Sequence, residues 1–187
     1  MRTLILCGSP RSHGDTMTLL RALAARLPGE ARYAQAYGAD IQPCLDCRAC
    51  WTGGGCVLHD GMDEVYENLA WANAVIVGSP LYYSELTGPL LSLASRFQCY
   101  YAARCLSPGA PHPHALPPKA GAVVLVGGGD TRSIDRAERT ARILLREVNA
   151  HTVAPAVWCD GTNRLPAREN RAALEAVHDL ADALCQA

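Results

Sequence analysis

The chain has 187 residues, with 17 Lys and Arg against 18 Asp and Glu, a formal net charge of −1, and 49% hydrophobic residues. That balance is the signature of a compact chain able to fill one core without disulfide or metal, and it excludes disordered and fibrous classes. It also leaves no net basic field to gather nucleic-acid phosphates.

The first element in chain order is an apolar run, Thr3 to Cys7, of strand length. Met1-Arg2 enters it directly, with no small-residue cleavage site before the polar turn at Ser9-Pro10-Arg11, and no apolar stretch reaches membrane-spanning length. A cytoplasmic protein with no membrane partner is therefore expected. Helical period follows at Leu19, Leu20, Leu23 and Leu27, then a weaker, alternating run from Arg32 to Tyr37 reads as an edge strand. Met62, Val65 and Leu69 mark the next helix. Ala74 to Gly78 is apolar throughout, as in a strand covered on both faces, and Gly88 to Cys105 is predicted as one helix. A proline-rich surface loop, Ser107 to Pro118, precedes a strand from Ala120 to Val126. The chain closes with a helix on Ile134, Ala137, Ala141 and Leu145, a strand from Thr152 to Trp158, and a helix on Leu174, Val177, Ala181 and Leu184.

Five strands alternating with about five helices, without an internal repeat, predict one α/β domain over residues 1–187. Right-handed crossovers restrict it to a doubly wound, five-stranded parallel sheet in a three-layer α/β/α arrangement. In such sheets ligands sit beyond the carboxyl ends of the strands, which directs attention to the loops after Cys7, Gly78 and Val126.

The first loop, Gly8-Ser9-Pro10-Arg11-Ser12-His13-Gly14-Asp15-Thr16, sets hydroxyls, backbone N–H groups and Arg11 at the start of a helix, the requirement for holding a phosphate monoester. It is neither a Walker A loop nor Gly-x-Gly-x-x-Gly, so no nucleoside triphosphate or classical dinucleotide is implied. The bland alternative is a plain βα turn with Asp15 or Thr16 as helix cap. The second loop, Gly78-Ser79-Pro80-Leu81-Tyr82-Tyr83-Ser84-Glu85-Leu86-Thr87-Gly88-Pro89, suits a flat, mostly apolar ring edged by backbone donors, or is a rigid turn whose tyrosines cover the core. The third, Gly127-Gly128-Gly129-Asp130-Thr131-Arg132, permits close backbone approach.

These residues, Gly8-Ser9-Pro10-Arg11 with Gly14-Asp15-Thr16 and then Ser79-Pro80-Leu81-Tyr82-Tyr83 with Leu86-Thr87-Gly88, resemble the NADPH-dependent FMN reductase group of flavodoxin-like proteins. The resemblance implies strand order 2-1-3-4-5. It also implies an FMN phosphate held by Ser9, Arg11, Ser12, Gly14, Asp15 and Thr16, and an isoalloxazine ring against Pro80, Leu81, Tyr82, Tyr83 and Ser84, with Gly127 and Gly128 beside it. The flavin would carry the chemistry, so no side chain is assigned as acid or base. A homodimer or homotetramer is expected on the same ground. Asp15 departs from the Asn common in the family, and Leu91 and Ser95 replace its usual Lys and Asp, although Arg96 remains.

A cysteine-rich loop at 43–57 holds Cys44, Cys47, Cys50 and Cys56 with the spacing C-x2-C-x2-C-x5-C, and Gly53-Gly54-Gly55 gives the freedom to bring Cys56 back to the others. Three cysteines at successive x2 spacing look more like a cluster segment than the paired knuckles of structural zinc, while a loop of ordinary thiols is the plain alternative. The spacing is similar to that of the iron–sulfur flavoproteins of the same family, which implies a 4Fe–4S cluster passing electrons from a ferredoxin-like donor to FMN. Without a cluster, NADPH would reduce FMN directly, with a quinone, flavin or other small molecule as acceptor. A non-enzymatic electron carrier like flavodoxin and a cofactor-free interaction or metal-sensing domain are the rivals. The other five cysteines, Cys7, Cys99, Cys105, Cys159 and Cys185, are expected as small buried apolar groups, and the arginines from Arg132 to Arg146 as a solvated helix face.

Overall fold

The computed structural model describes residues 1–105, 115–129 and 134–187. The predicted Asp130, Thr131 and Arg132 and most of the proline-rich segment lie outside the described residues.

The strands are β1 (Arg2–Cys7), β2 (Glu30–Gln35), β3 (Ala74–Pro80), β4 (Lys119–Val126), β5 (Ala150–Thr152) and β6 (Val157–Cys159). The helices are α1 (Asp15–Arg26), α2 (Met62–Trp71), α3 (Gly88–Ser95), α4 (Gln98–Cys105), α5 (Ile134–Glu147) and α6 (Arg171–Gln186). All strand pairings are parallel and the order is β2-β1-β3-β4-β5, with β6 also on β4. This is the flavodoxin-like doubly wound fold.

Every residue of β1 after Arg2, and of β3 before Pro80, is buried, because helices cover both faces. Successive side chains alternate between the two layers. Leu4, Leu6, Val75, Val77, Val123 and Leu125 pack with Met62, Leu69, Leu90, Phe97 and Leu145 from α2 to α5. Ile5, Cys7, Ile76, Val124 and Val126 pack with Leu19, Leu20, Leu23, Val177 and Leu180 from α1 and α6.

Two predicted elements are each broken in two. The outer strand does not run from Thr152 to Trp158: β5 ends at Thr152, opposite Gly121, and β6 resumes at Val157, opposite Val124. The outer chain thus spends Val153 to Ala156 where β4 spends only Ala122 and Val123. Pro155, with no N–H for the ladder, sits in that excursion. The helix predicted over Gly88 to Cys105 is interrupted at Arg96 and Phe97, which close turns onto Leu93 and Ala94. Two of the cysteines expected in the core, Cys105 and Cys185, are exposed, since they fall on outward positions of helix ends; Cys7, Cys99 and Cys159 are buried.

Each functional loop leaves the sheet from a backbone bond to the neighbouring strand: Gly8 N donates to Gly78 O, Leu81 N to Val126 O, and Gly127 N to Cys159 O, each at 2.8 Å. The three loops therefore start level with one another. Gly78 permits this packing, since a Cβ there would lie 2.6 Å from the δ-carbons of buried Leu20. Gly78→Ala should cost about 1–3 kcal/mol, the usual penalty of overpacking, read as a lowered denaturation midpoint at constant m-value.

Candidate functional site

The loop after β1 folds on itself. Ser9 Oγ accepts from Arg11 N and donates to Arg11 O, and Gly14 N donates to Arg11 O. Gly14 is the residue before α1 and gives the helix no side-chain cap, so the expectation of Asp15 or Thr16 as cap is not met. Asp15 instead directs Oδ1 to Ala167 N at 2.7 Å, in the segment before α6. Its charge is thereby engaged outside the loop, while the leading N–H groups of α1 keep their positive field.

The loop after β3 is tied to the first. Thr87 Oγ1 donates to Gly8 O, and Ser79 Oγ accepts from Thr87 N. At its tip, Tyr82 and Glu85 exchange backbone hydrogen bonds around Tyr83 and Ser84, whose φ values of 55° and 61° are both left-handed. Tyr83 is 100% exposed at this turn, whereas Tyr82 is turned toward the first loop.

These segments enclose a cleft of about 210 Å³. Of the residues predicted for the site, Ser9, Arg11, Gly14, Asp15, Thr16, Pro80, Leu81, Tyr82 and Gly128 line it; Ser12, Tyr83, Ser84 and Gly127 do not. Thr162 and Asn163, which lie outside the three predicted loops, also line it. They arrive from the loop after β6, where Thr162 N donates to Gly127 O and Asn163 N to Gly128 O. A larger groove of about 600 Å³ follows the arginine face of α5. There Arg142 pairs with Glu138 four residues earlier, as expected of a solvated face.

The cysteine loop is held shut from beneath. Gly61 N donates to Asp40 O across its base, and Cys44 N donates to Ser95 Oγ on α3. Arg96, at the break between α3 and α4, has a fully buried side chain against Asp60, whose side chain is 9% exposed. Its Nη1 donates to Asp60 Oδ2 at 2.8 Å and to Gln42 O, and its Nη2 to Leu58 O. Burial alone would raise the Asp60 pKa, but N–H bonds from Gln42 and Met62 and the guanidinium together hold it below the usual carboxylate value. Burial likewise opposes the Arg96 charge, but Asp60 together with Tyr66 and Cys56 holds its pKa above the ordinary value.

Above this pair, Cys44, Cys47, Cys50 and Cys56 line one pocket with Arg96 and a fifth cysteine, Cys99. Gly53 and Gly55 carry the chain back to Cys56 through left-handed φ values of 91° and 79°. Burial, then the neighbouring thiols of Cys56, Cys44 and Cys47, push Cys50 up, and burial, reinforced by Cys56 and Cys50, pushes Cys99 up to about 12. Among the described residues no three His, Cys, Asp or Glu are gathered tightly enough for a single metal ion. A tetrahedral zinc draws its four sulfurs onto one atom, whereas a 4Fe–4S cubane takes each thiolate on its own iron. Four cysteines lining one pocket are the donor set that a 4Fe–4S cubane takes.

A cleft bounded by the loops after β1, β3 and β4 at the carboxyl edge of this sheet defines the class: a flavodoxin-like, FMN-dependent oxidoreductase. A family model for NADPH-dependent FMN reductase matches residues 1–164, and the chain belongs to that family. It is 34% identical over 143 residues to an iron–sulfur flavoprotein of Methanocaldococcus jannaschii, covering 75% of this chain and 68% of that one. It is 26% identical over 146 residues to an iron–sulfur flavoprotein of Methanosarcina thermophila, covering 78% and 72%. An azoreductase from Bacillus anthracis superposes with a TM-score of 0.67 at 16% identity, covering 96% and 98% of the two chains, which speaks to the fold alone. Among the described residues no helix is long and apolar enough to cross a membrane.

Asp60→Ala leaves a buried guanidinium without its counter-charge and should cost about 3 kcal/mol. Because the folded-state pKa of Asp60 is depressed, its contribution is present above the unfolded value of about 4 and is lost as pH falls through the lower folded value. Urea titrations between pH 6 and pH 2 should show a shallower acid-side loss of stability in Asp60→Ala than in the parent.

Proposed function

We propose that the chain is an iron–sulfur flavoprotein, in which the cleft binds FMN and the cysteine pocket binds a 4Fe–4S cluster that receives single electrons from a ferredoxin-like donor. The observation that carries this reading is the gathering of Cys44, Cys47, Cys50 and Cys56 around one pocket, in a chain whose flavin family is established. When bound, the cluster supplies one-electron transfer and FMN supplies both one- and two-electron chemistry.

The chain's own residues have the following roles. The N–H groups of Asp15 and Thr16 at the uncapped start of α1, with Ser9 and Arg11, bind the phosphate. A cleft of about 210 Å³ is below the roughly 300–1,000 Å³ usual for a whole ligand of this class. It therefore encloses the phosphate end, while Pro80, Leu81 and Tyr82 support the ring at its mouth and Gly128 allows close approach opposite. Asn163 and Thr162 complete the polar wall. Ser12, Tyr83, Ser84 and Gly127 act at the rim or through the backbone. Gly53 and Gly55 let the fourth thiol close on the cluster.

A second reading, hydride transfer from NADPH to FMN and on to a quinone or other small acceptor, is favoured by the description of the matching family. Anaerobic absorption spectra with iron and acid-labile sulfide assays separate the two. Flavin bands over a broad shoulder, with about four irons per chain, support the cluster. Flavin without iron leaves the NADPH-dependent reductase.

Two substitutions refine the assignment. Cys50→Ser should abolish iron binding while FMN remains at one per chain, read by metal analysis and flavin fluorescence after denaturation. Arg11→Ala should weaken FMN about tenfold, as for loss of one charge-assisted contact, and leave riboflavin affinity unchanged; equal losses for both flavins would remove Arg11 from the phosphate.

A further inference from the structure

Arg96 has donors to spare. A guanidinium carries five N–H groups in a rigid fork, and three of them are engaged, both on Nη1 by Asp60 and the Gln42 carbonyl and one on Nη2 by the Leu58 carbonyl. Among the described residues Nε–H has no hydrogen-bond partner, although the side chain is wholly buried. A buried unsatisfied donor on a charged group carries a desolvation cost, so the site wants an acceptor.

Arg96 and Cys56 line the same pocket as the other three cysteines, and Cys56 is among the groups that act on the guanidinium charge. A neutral thiol is a weak acceptor, whereas a thiolate bonded to iron is a charged one.

We propose that Arg96 is a positioning residue for the cluster: its Nε–H donates to the Cys56 sulfur when that sulfur is an iron ligand, fixing the fourth ligand and raising the reduction potential. The inference rests on the cluster reading above. Hydrogen bonds to cluster sulfurs and a neighbouring positive charge favour the more negative, reduced state. The same guanidinium grips both limbs of the loop, Gln42 before the cysteines and Leu58 and Asp60 after them, so closing the loop and supplying the sulfur donor are one event. Lysine cannot do both, because its ammonium is a single point without a fork.

The test uses anaerobically reconstituted holoprotein with FMN and cluster, labelled with [15N]arginine, and pulsed EPR of the reduced cluster. One 15N coupling is expected in the parent. It should vanish in Arg96→Lys and persist in Arg48→Lys, the other arginine lining the pocket. A redox titration should show a more negative cluster potential in Arg96→Lys at unchanged iron and FMN content. A cluster without 15N coupling, a coupling that follows Arg48 instead, or an unchanged potential in Arg96→Lys would overturn the proposal while leaving the cluster reading intact. A parent that binds FMN but no iron would remove the cluster reading itself. If Arg96→Lys does not fold, the couplings of the parent and of Arg48→Lys decide the matter.

Discussion

Parallel strands buried on both faces must be joined by crossovers, and those crossovers must be helices that cover the sheet. In this chain β1, β3 and β4 meet that condition, with alternate side chains feeding two separate hydrophobic layers. Because every pairing is parallel, the carboxyl ends of the strands all emerge along one edge. The bonds from Gly8, Leu81 and Gly127 to adjacent strands bring the loops to a common height there. The cleft is thus a by-product of how the apolar runs are buried, and its chemistry is set by what little the loops add.

The cysteine pocket is organised differently. Its loop contributes no strand and only one short 3₁₀ turn, Ala49–Thr52, so it lacks a ladder of its own to hold it. The Arg96–Asp60 pair takes that place from below, joining both limbs of the loop to the junction of α3 and α4. An ion pair buried this fully is a poor source of net stability. Its value here lies in specifying one loop arrangement, with the thiols lining one pocket.

The apolar runs made β1, β3 and β4 legible in the sequence, and the family resemblance pointed to both sites. What escaped depended on tertiary partners. The break at Arg96 and Phe97 involves no proline or glycine; it reflects a charge that must turn inward to meet Asp60, Gln42 and Leu58. The excursion of the outer strand could have been read from Pro155, which a continuous ladder cannot accommodate. Thr162 and Asn163 reach the cleft only because β6 lies beside β4, a neighbourhood that local sequence does not encode. Tyr82 and Tyr83 are adjacent and chemically identical, and only the left-handed backbone of the turn separates the residue facing the cleft from the one facing solvent.

The divided outer strand also bears on how copies of the chain meet at high concentration. An open sheet edge is a template for another chain's backbone, and its hazard grows with the length of uninterrupted ladder it offers. Here one edge is cut into two pieces of three residues, and the opposite edge, β2, carries Glu30 and Arg32. Neither border can zip to a neighbour for more than a few residues without meeting a bend or a charge. That protects a fold whose parallel pairing forms slowly and leaves strands exposed while it does.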